Sequence, residues 1–270
     1  MKRVLLVANT LPPRDVSGVG EQVLQLAAGL REAGCEVTVL GRGRGGARGP
    51  KVVFPLTVLP AMAASLLHRR PDAVQVHESD GALAALLVRL LRPFLRPRPL
   101  LVALLQVSYS EERRAVRPLV APDGTVLGRP GAVERRFRRW KAPLQVALGR
   151  LTARLADRVL APSAATAEEI ERDYGVRGVG VLPNVTGGIP APPPAAPLPG
   201  LPADYILFVG RLRIRKGVEV LLHALDLLRR RGAVIPPLLV AGDGEHRAAL
   251  EATATRLGLD ATAVRFLGRA

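Results

Sequence analysis

The chain has 270 residues, of which 48% are hydrophobic and only 3% aromatic, and it carries a formal net charge of +16. That content excludes a disordered chain and leaves one or two globular domains with aliphatic cores. The only cysteine, Cys35, excludes an intramolecular disulfide.

The opening Met1-Lys2-Arg3 is basic like a signal n-region, but the apolar run Val4 to Ala8 is too short for one. That run reads as a strand covered on both faces. Val19, Val23, Leu26, Ala27 and Leu30 then follow helical spacing up to Gly34, and Glu36 to Leu40 form a second strand, completing a βαβ unit. A Gly/Arg loop covers 42–50. Further strands are expected at 72–77, 100–107, 158–161 and 178–182. Helices are expected at 81–91, at 164–174 behind a Ser163 N-cap, and at 134–156 with a bend at Pro143. No run approaches the roughly 20 apolar residues that cross a bilayer, so a soluble cytoplasmic protein is expected.

Residues 189–202 contain seven prolines and read as a semi-rigid spacer. The βα pattern then restarts, with strands at 205–209, 238–241 and 263–267 and helices at 217–231 and 245–257. The expected organisation is a first α/β domain over 1–186, a Pro-rich linker over 187–203 and a second, partial domain over 204–270. Three strands and two helices are few for a doubly wound domain, so a cut second domain is expected.

The strongest chemical signal is Tyr205 to Gly217, where an apolar strand ends at Gly210 and a helix begins after Gly217. Between them Arg211 and Lys216 add two permanent cations to the free N–H groups of a helix start, which suits a diphosphate. Ser17-Gly18-Val19-Gly20-Glu21, between the first strand and helix, reads either as an anion-approaching loop or as a tight turn. Gly242 and Gly244 follow another strand, either near a ligand at the carboxyl edge or as a strand cap. Asn184 lines an interdomain cleft or closes a plain Pro-Asn turn. His77 and Glu78 close one strand and Gln106 another, with structural and catalytic readings both open. No zinc spacing, Walker loop or nucleophile elbow is present.

Between Arg89 and Arg158 sixteen Lys/Arg face five Asp/Glu, an excess of eleven. That field reads as a solvated surface, an anionic-membrane patch or a nucleic-acid site. Phe137 and Trp140 among Arg135, Arg136, Arg138, Arg139 and Lys141 favour a headgroup layer over nucleic acid.

Taken in order, these segments resemble the family 4 retaining glycosyltransferases. The resemblance rests on Ser17 to Glu21, Gly34 to Val39, Leu182-Pro183-Asn184, Ile206 to Leu212 with Lys216-Gly217, Leu239 to Gly244, and Val264 to Gly268. It implies an α/β fold of two facing Rossmann-like domains, the glycosyltransferase B type, with the second domain incomplete. It also implies transfer of a sugar from a nucleotide-diphosphate sugar to a sugar or lipid-linked acceptor, with no resident cofactor or metal. Arg211 and Lys216 match the positions that hold the donor diphosphate. Gly18 and Gly20 match the loop approaching donor and acceptor, and Gly242 and Gly244 lie toward the nucleotide. Gln106 stands where many members have histidine, so its expected role is positional. The family's paired glutamates would fall beyond Gly268. An alternative expectation is therefore a non-catalytic remnant, or half of an enzyme completed by a second chain. Peripheral attachment to the inner membrane face through residues 129–154 is the further expectation.

Overall fold

Six parallel strands form the first sheet of the computed structural model, which describes residues 1–12, 18–43, 45, 49–184 and 200–269. The elements begin with β1 (Arg3–Ala8), α1 (Gly18–Glu32), β2 (Glu36–Gly41), α2 (Phe54–Thr57), α3 (Leu59–Ala64), β3 (Ala73–His77), α4 (Ala82–Leu91) and β4 (Leu100–Leu104). They continue with α5 (Tyr109–Ala115), the hairpin β5 (Leu119–Val120) and β6 (Val126–Gly128), α6 (Ala132–Arg136), α7 (Ala142–Leu155), β7 (Arg158–Ala161), α8 (Ala164–Tyr174) and β8 (Gly180–Val181). Last come β9 (Ile206–Val209), α9 (Val218–Arg230), β10 (Leu238–Ala241), α10 (Arg247–Arg256) and β11 (Val264–Gly268).

The first sheet runs β2-β1-β3-β4-β7-β8, with Val4 opposite Val37 on one side and Ala73 on the other. Strand β1 is apolar at successive positions because both faces are covered. Leu5 and Val7 pack with Phe54, Val58, Met62 and Val88, whereas Leu6 and Ala8 pack with Val23 and Ala27 of α1. The strand order reverses between β1 and β3, so the carboxyl edge there is the topological switch point. A second parallel sheet, β11-β10-β9, carries a core of Leu212, Val218, Leu222, Leu238, Val240 and Leu250.

Residues 1–112 and 141–184 make one compact unit, and residues 113–140 pack with residues 200–269 as the other. This differs from the sequence expectation, which gives 113–140 to the first domain. The segment departs because β6 lies against α9 and Glu134 of α6 is buried in the second unit. Most of the expected Pro-rich linker lies outside the described residues.

Several local expectations hold for physical reasons. Ser163 caps α8 by accepting from the Thr166 N–H at 3.2 Å, and Gly34 ends the first helical segment at φ +81°. The expected long helix over 134–156 is interrupted earlier than Pro143, by a π-turn at Phe137–Lys141. Pro143 cannot donate to, and would crowd, the carbonyl four residues before it, so it starts the fresh helix α7 instead. Cys35 is half-buried. The expectation of no membrane-length apolar segment is also revised. Lys51–Arg69 forms helical turns whose mean hydropathy reaches 1.4 over an 18-residue window.

Candidate active-site edges

In the second unit the loop after β9 alternates inward and outward. Leu212 and Ile214 are buried while Arg211 and Lys216 are exposed, so core packing fixes the backbone and leaves both cations at the surface. Neither cation enters a hydrogen bond or ion pair among the described residues. Ile214–Lys216 form one 3-10 turn, and Gly217 at φ +77° then opens α9 without a side-chain cap. The first N–H groups of α9 thus start immediately behind Lys216, where they favour negative charge.

Neighbouring strands are tied to this loop beyond their own ends. The Gly210 N–H donates to the Ala241 carbonyl at 3.0 Å, Leu212 N–H to Asp243 at 3.0 Å, and Gly242 N–H to Gly268 at 2.6 Å. A Cβ at Gly242 would overlap the Gly210 carbonyl, and one at Gly244 the Leu212 carbonyl. The glycines are required by this backbone contact, so the strand-cap reading of Gly242 and Gly244 has a structural basis of its own.

Four buried residues, His246, Glu219, Thr253 and Glu134, lie behind the loop, and sequence reading missed them. His246, whose N–H donates to the Leu212 carbonyl at 3.2 Å, places Nε2 3.3 Å from Glu219 Oε2 on the first turn of α9. Thr253 Oγ1 donates to Glu219 Oε1 at 2.6 Å. Burial pushes the Glu219 carboxyl up, but the hydrogen bonds from His246 and Thr253 and the nearby histidines outweigh it and hold the pKa low. Glu134, inserted by α6, faces the Ile214 amide, and its pKa is raised by burial first and by the Glu245 carboxylate second. Residues so far apart in sequence carry no common spacing signal.

In the first unit the polar residues gather at the switch point. Gly18 and Gly20 both lie in α1 rather than in a turn; Gly20 is buried, and a Cβ there would come 2.5 Å from the Thr10 carbonyl, whereas Gly18 opens the helix and is exposed. Asn9, just past β1, donates from Nδ2 to Asp80 Oδ2 at 2.7 Å and to the Lys51 carbonyl at 3.1 Å. Glu78, just past β3, has φ 58° and ψ −170°, a region that only glycine enters readily and that costs about 1–3 kcal/mol elsewhere. Its carboxyl accepts the Gln106 N–H at 2.7 Å, which binds the end of β3 to the end of β4. Burial, with the Asp80 charge, pushes the Glu78 pKa up to about 8 against the opposing Gln106 hydrogen bond. His77 is pushed down to about 4 by burial alone, so it is neutral at pH 7.

Buried polar atoms at this edge without a partner among the described residues include Asn9 Oδ1, His77 Nδ1, Glu78 Oε2, Ser79 Oγ and Gln106 Nε2. Unpaired buried donors and acceptors are costly, and a mixed set of them suits a hydroxylated ligand. Of the sequence-predicted residues, Gly18, Gly20 and Gln106 therefore belong to the first unit's edge. Arg211, Lys216, Gly242 and Gly244 belong to the second unit's edge, and Asn184 is exposed beyond β8. Among the described residues no group of three or more His, Cys, Asp or Glu side chains is placed to hold a metal.

Parallel α/β units with ligand-facing loops at their carboxyl edges define the Rossmann-like class. The chain belongs to the glycosyl transferase 4-like family, whose model matches residues 17–184, and residues 203–270 match the glycosyl transferases group 1 model. No curated protein matched the sequence. Among solved structures, sucrose-phosphate synthase from Thermosynechococcus elongatus is similar with a TM-score of 0.65 at 17% identity, covering 100% of this chain and 71% of that one. The catalytic domain of starch synthase IV from Arabidopsis thaliana, bound to ADP and acarbose, has a TM-score of 0.61 at 14% identity, covering 100% and 74%. The lipopolysaccharide outer core galactosyltransferase WaaB has a TM-score of 0.59 at 15% identity, covering 99% and 68%. The fold is the glycosyltransferase B type.

Proposed function

We propose that this glycosyltransferase moves a sugar from a nucleotide-diphosphate sugar to a hydroxylated acceptor with retention of anomeric configuration. The observation that carries the donor half is the loop Arg211–Lys216. Two exposed cations without side-chain partners among the described residues flank buried anchors and run into an uncapped helix start. Its chemistry is electrostatic: Arg211, Lys216 and the amide N–H groups stabilise the charge that grows on the departing diphosphate as the glycosidic bond breaks. Gly242 and Gly244 keep backbone, rather than side chains, beside that loop. The ADP bound to the similar starch synthase supports a nucleotide-linked donor for this chain.

The polar edge of the first unit supplies the other half of the reading. Gln106, half-buried at this edge, is the amide that would hydrogen-bond a sugar hydroxyl, and buried Glu78 positions it by accepting its backbone N–H. Gly18, with no atom within 4 Å of where a Cβ would stand, leaves backbone open for approach at the start of α1, whereas Gly20 faces the Thr10 carbonyl; Asn184 stands near the end of the same unit. Titrating the chain with UDP-, ADP- and GDP-sugars, with product analysis by mass and anomeric configuration, tests the reading. Saturable binding of one donor with turnover is expected. A silent titration would favour the alternative, a non-catalytic chain or one that needs a second chain.

A cytoplasmic location and contact of residues 129–154 with an anionic membrane complete the proposal. In the second unit Val133 and Trp140 are exposed among the arginines of 135–139, and Arg139 lies 5.5 Å from the Trp140 ring; Leu144 is exposed on α7 of the first unit. Flotation on vesicles containing phosphatidylglycerol should weaken at least several-fold in Trp140→Ala/Arg139→Gln; unchanged recovery would remove this patch.

A further inference from the structure

The stretch from Lys51 to Arg69 turns a second, apolar face to solvent. Its inward residues Phe54, Val58, Met62 and Leu66 are all within the core beneath β1 and β3. Its outward residues are Val52, Leu56, Pro60, Ala64 and Leu67, spaced by three or four and therefore aligned along one stripe. Val52 is 83% exposed, Leu56 61% and Leu67 52%. A surface helix ordinarily turns charge to solvent, yet no charged side chain stands between Lys51 and His68.

The surroundings say what covers the stripe. From Val37 to Pro71 the sequence contains no Asp or Glu but holds Arg42, Arg44, Arg48, Lys51, Arg69 and Arg70. Among the described residues Lys51 at one end and Arg69 and Arg70 at the other bracket an apolar face of about 24 Å, taking roughly 16 residues at 1.5 Å each. Such a helix seats its apolar face at the acyl boundary while flanking cations meet anionic headgroups. The stretch cannot span the bilayer while Phe54, Val58, Met62 and Leu66 remain in the sheet core, so it lies in the plane of the surface.

We infer that the exposed face of residues 51–69 is an interfacial docking element for an anionic lipid bilayer, in the first unit and separate from residues 129–154. The inference stands independently of the donor chemistry.

Co-flotation of the whole chain with vesicles of phosphatidylglycerol and phosphatidylcholine, against phosphatidylcholine alone, tests it. Both substituted leucines are exposed, so Leu56→Glu/Leu67→Glu should leave the thermal melt unchanged. It should nevertheless lower partitioning onto anionic vesicles at least about tenfold, because apolar contacts are lost and charges of the wrong sign arrive. Lys51→Gln/Arg70→Gln, which leaves the apolar face intact, should lose binding at lower salt than the parent. Undiminished flotation of the leucine variant, or none of the parent, overturns the inference. So does a concentration-dependent dimer, seen by light scattering, that the leucine variant abolishes; the stripe would then belong to a second copy.

Discussion

Replacing Arg211 or Lys216 by alanine is expected to lower sugar transfer at least about tenfold each, because each removes a cation from developing phosphate charge. The structure predicts where that loss should appear. Both side chains are exposed and engage no described residue, so neither substitution should disturb folding. Leu212 and Ile214, not the cations, hold the loop to the core. Thermal melts should therefore stay within a degree or two of the parent while kcat/KM falls. If both variants keep parental rates with a donor that turns over, the diphosphate assignment is wrong. The conservative pair Arg211→Lys and Lys216→Arg separates charge from geometry, since guanidinium presents a fixed fork and ammonium a point charge.

The second large effect concerns Glu78. Its folded pKa stands near 8, above the ordinary carboxylate value of 4.5, because burial disfavours the charged form. A group raised on folding contributes stability that is fully present below the unfolded pKa and is lost as pH rises through the folded one. Stability should therefore fall by up to a few kcal/mol between about pH 4.5 and 8 through this one proton. Glu78→Gln keeps an acceptor for the Gln106 N–H and cannot ionise, so it should be flatter over that window. Denaturant midpoints for both proteins at pH 5 and pH 8.5 measure the difference. Parallel pH slopes would mean that Glu78 does not hold its proton on folding. Glu78→Gly tests the backbone instead: glycine relieves the positive φ but leaves the Gln106 N–H unpaired, so a loss of stability would show that the hydrogen bond outweighs the strain.

Much of the frame was legible in the residues. Val4 to Ala8 reads as a doubly covered strand, and it sits centrally with both faces packed. Tyr205 to Gly217 reads as strand, cationic loop and helix start, and those elements occur with boundaries shifted by a residue. Such signals are local: side-chain period, a capping serine and glycines at positive φ act over a few residues.

What remained hidden depends on distant parts of the chain meeting. Sequence reading left 51–69 unassigned, because a helix whose inner stripe is core and whose outer stripe is also apolar lacks the polar alternation that marks a surface helix. It placed 113–140 in the first domain, since nothing in that basic segment announces that Glu134 is buried beside Ile214. It weighed Glu78 as one residue, whereas its meaning comes from burial, a strained backbone and the Gln106 amide 28 positions away. The sequence by itself determined the alternation of strands and helices, the cationic loop and the family, because each is written in short-range pattern. Only the tertiary structure decided which carboxylates lose water, which polar atoms stay unpaired and which apolar faces remain outside. Those properties belong to the surroundings that folding assembles around a residue.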